Sequence, residues 1–308
     1  MSGNLRSYVV WSITDGRPGH LQQIRGLIKA LGKQLPIREI ELRAESAARA
    51  LGYLATGRFP PGEHHPAPDL IIGAGHATHL NILAARRARG GKTVVLMKPS
   101  LPRRLFDLCL IPQHDGVAPA RNVILTHGAL NTMERSSAAD PHVGLILLGG
   151  LSRHYQWRDA EILEAVGKLA TDTPDVHWTL TTSPRTPASL LAALGALPMT
   201  NLQVVPFQQT TQGWLSSVLG RAGQVWVTPD SVSMVYEALT SGAGVGVFDL
   251  PRRHSSRVVR GLERLVQSGW VTRFRNWQPG QSLPQLASEL DEAARCAKWI
   301  RQFWYPNS

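Results

Sequence analysis

Four short segments hold residues whose types and spacing could do chemistry. The string Thr228-Pro229-Asp230-Ser231-Val232-Ser233-Met234-Val235-Tyr236-Glu237 reads as a turn running into a helix. Asp230 or Ser231 can cap that helix, its first backbone N–H groups form a seat for phosphate, and Ser231 and Ser233 add hydroxyl donors. Glu237 falls about two helical turns further on, where a carboxylate can accept both hydroxyls of a ribose. An ordinary capped helix with a surface glutamate has the same pieces, but the whole string at the end of a strand favours a nucleotide.

The second segment is Thr14-Asp15-Gly16-Arg17-Pro18-Gly19-His20. Gly16 and Gly19 let the backbone approach a ligand, and Arg17 offers a guanidinium fork. His20 opens the next helix. Imidazole exchanges a proton near neutral pH, so His20 is a candidate general base, with Asp15 able to orient or replace it. The plainer alternative is a loop whose Asp and His cap the helix.

The third segment is Gly149-Gly150-Leu151-Ser152-Arg153-His154-Tyr155, which offers backbone N–H groups, Ser152 and Arg153 to a diphosphate. It lacks the GxGxxG spacing of a dinucleotide fingerprint. The fourth, Gly73 to His79, supplies Gly75, His76 and His79, which together with His127 are candidates for contacts on the acceptor side. His20, His114 and His127 also fall at strand ends, but no spacing defines a metal geometry, and no metal is expected.

Two further stretches combine basic or aromatic groups: Arg252, Arg253, Arg257, Arg260 and Arg264, and Trp299, Phe303, Trp304 and Tyr305 near the end. A solvated face and a packed terminal helix explain both, although a membrane surface selects similar combinations.

The elements that must position these residues alternate throughout. Strands are expected near Tyr8–Ile13, Ile37–Leu42, Asp69–Gly73, Thr93–Met97, Leu108–Ile111 and Val123–Leu125, with helices near Leu21–Leu31, Ser46–Tyr53 and Thr78–Arg89. A polar stretch from Asn131 to Pro141 has the character of a linker. The alternation then restarts at Val143–Leu148 and runs to Gly244–Phe248, with a last helix from about Leu283 to Phe303. The pattern predicts an α/β protein of two Rossmann-like domains facing a cleft, with parallel sheets and crossover helices. The expected domains are residues 1–135 (acceptor side), 141–285 (nucleotide side) and a helix over 286–308 packing back across both.

Composition narrows the partners. The chain has 308 residues, 33 Lys and Arg against 22 Asp and Glu, and two cysteines. Residues 1–140 carry 18 basic and 10 acidic side chains, so the excess lies mainly in the first half. Such a field favours phosphorylated small molecules or an anionic membrane surface. No nucleic-acid reading module is recognisable. Two cysteines fit a reducing compartment, and no apolar run is long enough to span a bilayer. A cytoplasmic protein, at most peripheral at an inner membrane, is the expectation.

Four strings together, TDGRPGH (Thr14–His20), THGALN (Thr126–Asn131), LGGLSRHYQW (Leu148–Trp157) and VTPDSVSMVYEAL (Val227–Leu239), resemble the plant elongated-mitochondria fission proteins and their bacterial relatives. That family is similar in fold to GT-B glycosyltransferases, including the enzymes that complete lipid II and the lipid A disaccharide. The resemblance implies that His20 is the catalytic base and that Ser231 and Ser233 meet donor phosphates. It implies further that Glu237 meets ribose and that Gly149 to Ser152 form the facing diphosphate loop. The implied activity is metal-independent, inverting transfer from a nucleotide-sugar to an envelope glycolipid or saccharide, with no resident cofactor. The rival is a non-catalytic adaptor at a membrane. An epimerase or dehydrogenase holding nicotinamide is disfavoured by the missing GxGxxG and YxxxK arrangements.

Overall fold

The computed structural model describes residues 7–286 and 290–306. The chain divides into two compact units, Met1–Thr132 with Glu292–Ser308, and Met133–Asp291.

In the first unit, strands β1 (Tyr8–Thr14), β2 (Ile37–Arg43), β3 (Leu70–Ala74), β4 (Lys92–Leu96), β5 (Leu108–Pro112) and β6 (Val123–Thr126) form one parallel sheet. Its order is β2-β1-β3-β4-β5-β6. β3 and β5 are buried along their whole length, which is why they read as unbroken apolar runs rather than alternating ones. Helices α1 (Pro18–Gly32), α2 (Ala47–Thr56) and α3 (His79–Arg89) cross between strands. α1 turns Ile24, Leu27, Ile28 and Leu31 inward, the spacing of a helix buried on one side.

The second unit repeats the scheme. Strands β7 (Asp140–Leu147), β8 (His177–Thr181), β9 (Leu202–Val205), β10 (Ala222–Val227), β11 (Gly244–Val247) and β12 (Thr272–Arg273) take the order β12-β11-β10-β7-β8-β9. Helices α4 (Asp159–Asp172), α5 (Ala188–Gly195), α6 (Trp214–Leu219), α7 (Val232–Ser241) and α8 (Arg257–Gln267) connect them. Gly246 and Gly144 leave room for the buried rings of Trp226 and Trp178, which a Cβ at either glycine would strike. The register Gln224↔Gly144 to Val227↔Leu147 aligns β10 with β7, so the two strands end side by side.

Each sheet has one place where the chain reverses its direction of travel, between β1 and β3 and between β7 and β10. Loops at the carboxyl ends of strands diverge there and leave a crevice, the usual seat of ligands in open α/β sheets. The segments Asp15–His20 and Gly75–His79 flank the first such point, and Gly149–Arg153 and Asp230–Glu237 the second.

Three expectations change. The last helix starts at Glu292, as α9 (Glu292–Trp304), and not near Leu283. Pro284 disfavours helical backbone at Leu283, which packs against Gly244 and is buried with Leu290 in the second unit's core. Part of that expected helix, residues 287–289, lies outside the described residues. The basic stretch after Phe248, whose arginines recur at the spacing of one helix face, is helical from Arg257 as α8, and the unexpected element is the short strand β12 that follows it. The polar stretch at 131–141 is partly ordered, since Ser136 N–H donates to Ser241 O and Asp140 already begins β7. α9 buries Ala293, Cys296, Ala297 and Ile300 in the core that holds α1. Among the described residues no helix is long and apolar enough to cross a membrane.

Candidate functional site

In the first unit the loop after β1 brings Asp15 and His20 together. His20 Nδ1 lies 3.0 Å and 2.9 Å from the two carboxylate oxygens of Asp15. Neither residue caps α1, whose N-cap position is Arg17 without a side-chain bond. Asp15 is almost fully buried and holds the ring by one nitrogen, so Nε2 is the nitrogen left for an incoming group. Of the two roles open to Asp15, this geometry is that of the orienting group. The loop itself is set by Gly16 at φ +78 and by the Gly16 N–H bond to Thr14 Oγ1 at 3.1 Å. Arg17 is 77% exposed, and its Nε lies 3.8 Å from Asp15. A Cβ at Gly19 would meet open space.

Gly75, at φ +91, closes the other side. A Cβ there would run into the His20 ring and the Asp15 carboxylate. Next to it, His76 Nδ1 and His79 Nδ1 both contact Ser100 Oγ, at 2.6 Å and 3.0 Å. Burial pushes the His79 imidazole down to about 4, with the neighbouring His76 adding to the shift, so His79 is neutral at pH 7. Ser100, which the sequence reading did not single out, therefore joins two of the expected acceptor-side residues. His127 is not gathered with them: it follows β6, four strand positions from β1, roughly 19 Å at the usual strand spacing. Its backbone N–H donates to Glu292 at 3.1 Å. Among the described residues no three His, Cys, Asp or Glu side chains come together as a metal would require.

In the second unit the loops after β7, β8 and β10 are tied into one knot around Asp230. Gly149 N–H donates to Thr228 Oγ1 at 2.7 Å, and Gly150 N–H donates to Asp230 Oδ2 at 3.0 Å. Arg185 Nη1 meets the same Oδ2 at 2.8 Å and donates to Leu151 O at 3.1 Å. Ser183 Oγ donates to Gly149 O at 2.5 Å, and Thr186 Oγ1 binds the same carbonyl. Burial pushes the Asp230 carboxyl above the usual range, opposed by Thr228, Arg185 and the Gly150 amide. Glycine is required at 149 because a Cβ would occupy the space of the Asp230 carboxylate, and at 150 because it would strike the Arg185 backbone.

This knot corrects part of the sequence reading. The Gly149 and Gly150 amides, expected to face a diphosphate, are both consumed internally. Ser152 Oγ accepts the N–H groups of His154 and Tyr155, each at 3.2 Å, and so shapes its own turn. Asp230 does not cap α7, and Ser231, the N-cap residue, makes no side-chain cap bond either. The physical reason is that the inward-turned carboxylate takes two donors on Oδ2, the Gly150 amide and the Arg185 guanidinium, in place of one helical amide. Arg153 remains exposed beside the loop. Arg185, Ser183 and Thr186 were missed. Their only signal was the turn string Ser183-Pro184-Arg185-Thr186-Pro187 between a strand and a helix.

What the knot leaves free is the start of α7. Its first amides have no preceding turn to bond to, as at every helix N-terminus, and no side chain caps them. Ser231 Oγ and Ser233 Oγ lie 3.5 Å apart at that end. Glu237 is half-buried on α7, and burial pushes its carboxyl up to about 7. No cation is among the causes of that shift.

The fold has counterparts among known structures. The glycotransferase of kitacinnamycin superposes with a TM-score of 0.51 at 16% identity, covering 96% of this chain and 99% of that one. A UDP-N-acetylglucosamine 2-epimerase gives 0.55 at 14% identity over 96% and 88%. The UDP-GlcNAc 2-epimerase from Neisseria meningitidis, bound to UDP-GlcNAc, gives 0.52 at 11% over 97% and 92%. At these identities the likeness is one of fold: both sheets and their helices form a GT-B-like α/β protein. In sequence, the protein RP120 of Rickettsia prowazekii (strain Madrid E) is 22% identical, over 76% of this chain and 79% of its own. The model of the family described as mitochondrial fission ELM1 matches residues 18–304, nearly the whole of both units, and the chain belongs to that family.

Proposed function

We propose that the second unit binds a nucleoside diphosphate sugar and that the chain transfers the sugar to an acceptor hydroxyl. The observation that carries the donor half is Glu237, a half-buried carboxylate with a raised pKa on a helix whose N-terminus is uncapped. A ribose diol supplies the hydrogen bonds that such a carboxylate lacks, and a diphosphate supplies acceptors for the first amides of α7 and the hydroxyls of Ser231 and Ser233. Asp230, Gly149, Gly150 and Ser152 then act as the frame that fixes these groups, while Arg153 is the exposed cation available to the phosphates. The UDP-GlcNAc bound by the Neisseria meningitidis relative in fold supports a sugar nucleotide of this class.

The acceptor half rests on the Asp15–His20 pair. As the acceptor oxygen forms its bond to the sugar's anomeric carbon, its proton passes to His20 Nε2, and the bond from that carbon to the diphosphate oxygen breaks. Asp15 stabilises the imidazolium, and the α7 end takes up the charge on the departing diphosphate. This in-line displacement inverts the anomeric centre and uses no metal. Gly75, His76 and His79 shape the acceptor side, and an envelope glycolipid or saccharide is the proposed acceptor. A thermal-shift panel of nucleoside diphosphates with Glu237→Ala as control tests the donor half. Stabilisation of the parent chain alone supports it, and no stabilisation by any nucleotide counts against it.

Membership of the mitochondrial fission ELM1 family favours a second reading, a GT-B-like adaptor that recruits other proteins at a membrane without transfer. Under that reading a folded His20→Ala protein restores the phenotype of a deletion strain. Under the transfer reading it does not.

A further inference from the structure

The far end of the first unit carries a surface that neither the donor site nor the Asp15–His20 pair uses. α9 starts beside the carboxyl end of β6, where Arg295 donates to Leu125 O at 2.7 Å. It finishes at the amino ends of β1, β3 and β4. There Tyr305 OH donates to Asp69 O at 3.2 Å, the rings of Tyr305 and Tyr8 lie 4.6 Å apart, and Lys92 Nζ stands 5.8 Å over the Trp304 ring. The helix thus runs against the strands and lays its last turns on the sheet edge opposite the His20 loop.

Those last turns are aromatic and basic. Phe303 is 64% exposed, the most exposed large hydrophobic side chain described, and its ring lies 4.7 Å from that of Trp299. Trp299, Trp304 and Tyr305 are half-buried, each with part of its ring held by the protein and part facing out. Lys298 and Lys92 are exposed beside them, Lys92 with its Nζ 3.8 Å from Asp107, and from Cys296 to the end the sequence contains Lys298 and Arg301 but no acidic residue.

We propose that this end of α9 is a docking surface for the headgroup region of a bilayer containing anionic phospholipid. Trp and Tyr rings that are apolar at one end and polar at the other settle at that depth, a protruding Phe enters the acyl boundary, and lysines meet the lipid phosphates. A protein partner fits less well, because lysine is depleted where protein interfaces bury their aromatic anchors. The surface is independent of sugar transfer: neither His20 nor Glu237 takes part.

The test is co-sedimentation of the full chain with vesicles of phosphatidylcholine alone and of phosphatidylcholine mixed with phosphatidylglycerol. Binding to the mixed vesicles that weakens with added salt is expected, with Phe303→Ser and Lys298→Glu each lowering the partition by about tenfold. Both sites are exposed, and circular dichroism checks that the variants fold. No binding to mixed vesicles, equal binding to both kinds, or unchanged binding by Phe303→Ser overturns the proposal. So does a self-associated chain that Phe303→Ser converts to monomer, since the surface would then belong to a second copy.

Discussion

Arg185 and Asp230 meet at 2.8 Å between two loops that are 45 residues apart in sequence, and the same Asp230 oxygen accepts the Gly150 amide. The pair fixes the loop after β7 against the turn that opens α7. The Asp230 side chain is fully buried while that of Arg185 is 42% exposed, so the two are not equivalent. Asp230→Ala strands a buried amide and a cation, and is expected to cost about 2–4 kcal/mol in urea unfolding. Arg185→Ala is expected to cost about 1–2 kcal/mol, because water can reach the space it leaves.

The Arg185→Ala loss should also depend on pH. Burial raises the Asp230 carboxyl above its unfolded value, and removing the cation raises it further. A carboxyl with a raised folded pKa binds more protons folded than unfolded, so stability falls as pH rises through that window. Denaturant melts at acid and neutral pH should therefore show a smaller Arg185→Ala penalty at the acid end.

Glu237 gives the same sign with a defined window. Its carboxyl sits at about 7 against an ordinary 4.5, so its ionisation destabilises the folded chain as pH rises between those values. After discounting for partial exposure, Glu237→Gln is expected to stabilise the ligand-free protein by about 1–2 kcal/mol at pH 8 and by little at pH 4.5. Donor binding should respond oppositely. Ribose hydroxyls donate to the carboxylate, so affinity rises from pH 6 to pH 8 in the parent chain and is flat in Glu237→Gln.

The Asp15–His20 pair predicts a separation of binding from turnover. Asp15→Asn leaves a ring partner but removes the charge that favours the proton-accepting tautomer and the imidazolium. Transfer should fall by about 10²–10⁴-fold while nucleotide affinity stays unchanged. Equal losses in both would place Asp15 in a purely structural role.

Gly75→Ala offers a steric check on the same pair. At φ +91 a side chain is strained, and its Cβ would push into His20 and Asp15. The expected cost is about 1–3 kcal/mol of stability, with a displaced resonance for the His20 Nδ1–H that Asp15 accepts, by NMR.

The architecture was legible because both sheets are parallel and covered on both faces, so each buried strand announces itself as an apolar run bounded by turns. TDGRPGH was legible for a related reason: both members of its pair lie in one loop. The Asp230 knot was not. Its partners, Gly150 and Arg185, lie 80 and 45 residues away, and nothing in a capping-type string distinguishes an aspartate that caps from one that turns inward. Ser100 was hidden likewise, joined to His76 and His79 only because β3 and β4 are neighbours. His127 was grouped with the other histidines because it ends a strand, but β6 lies at the far edge of its sheet. The start of α9 was misjudged because Leu283 and Leu290 continue a helical spacing while packing in the other unit.

Whether the second unit seats a nucleoside diphosphate through α7 and Glu237 is decided by isothermal titration of nucleoside diphosphates into the full chain and into Glu237→Ala at pH 8. Saturable binding of at least one nucleotide is expected, weakened about 10- to 100-fold by the substitution, the worth of one or two hydrogen bonds to a charged group. A folded chain that binds none of them, or a Glu237→Ala protein that binds as tightly as its parent, would contradict it.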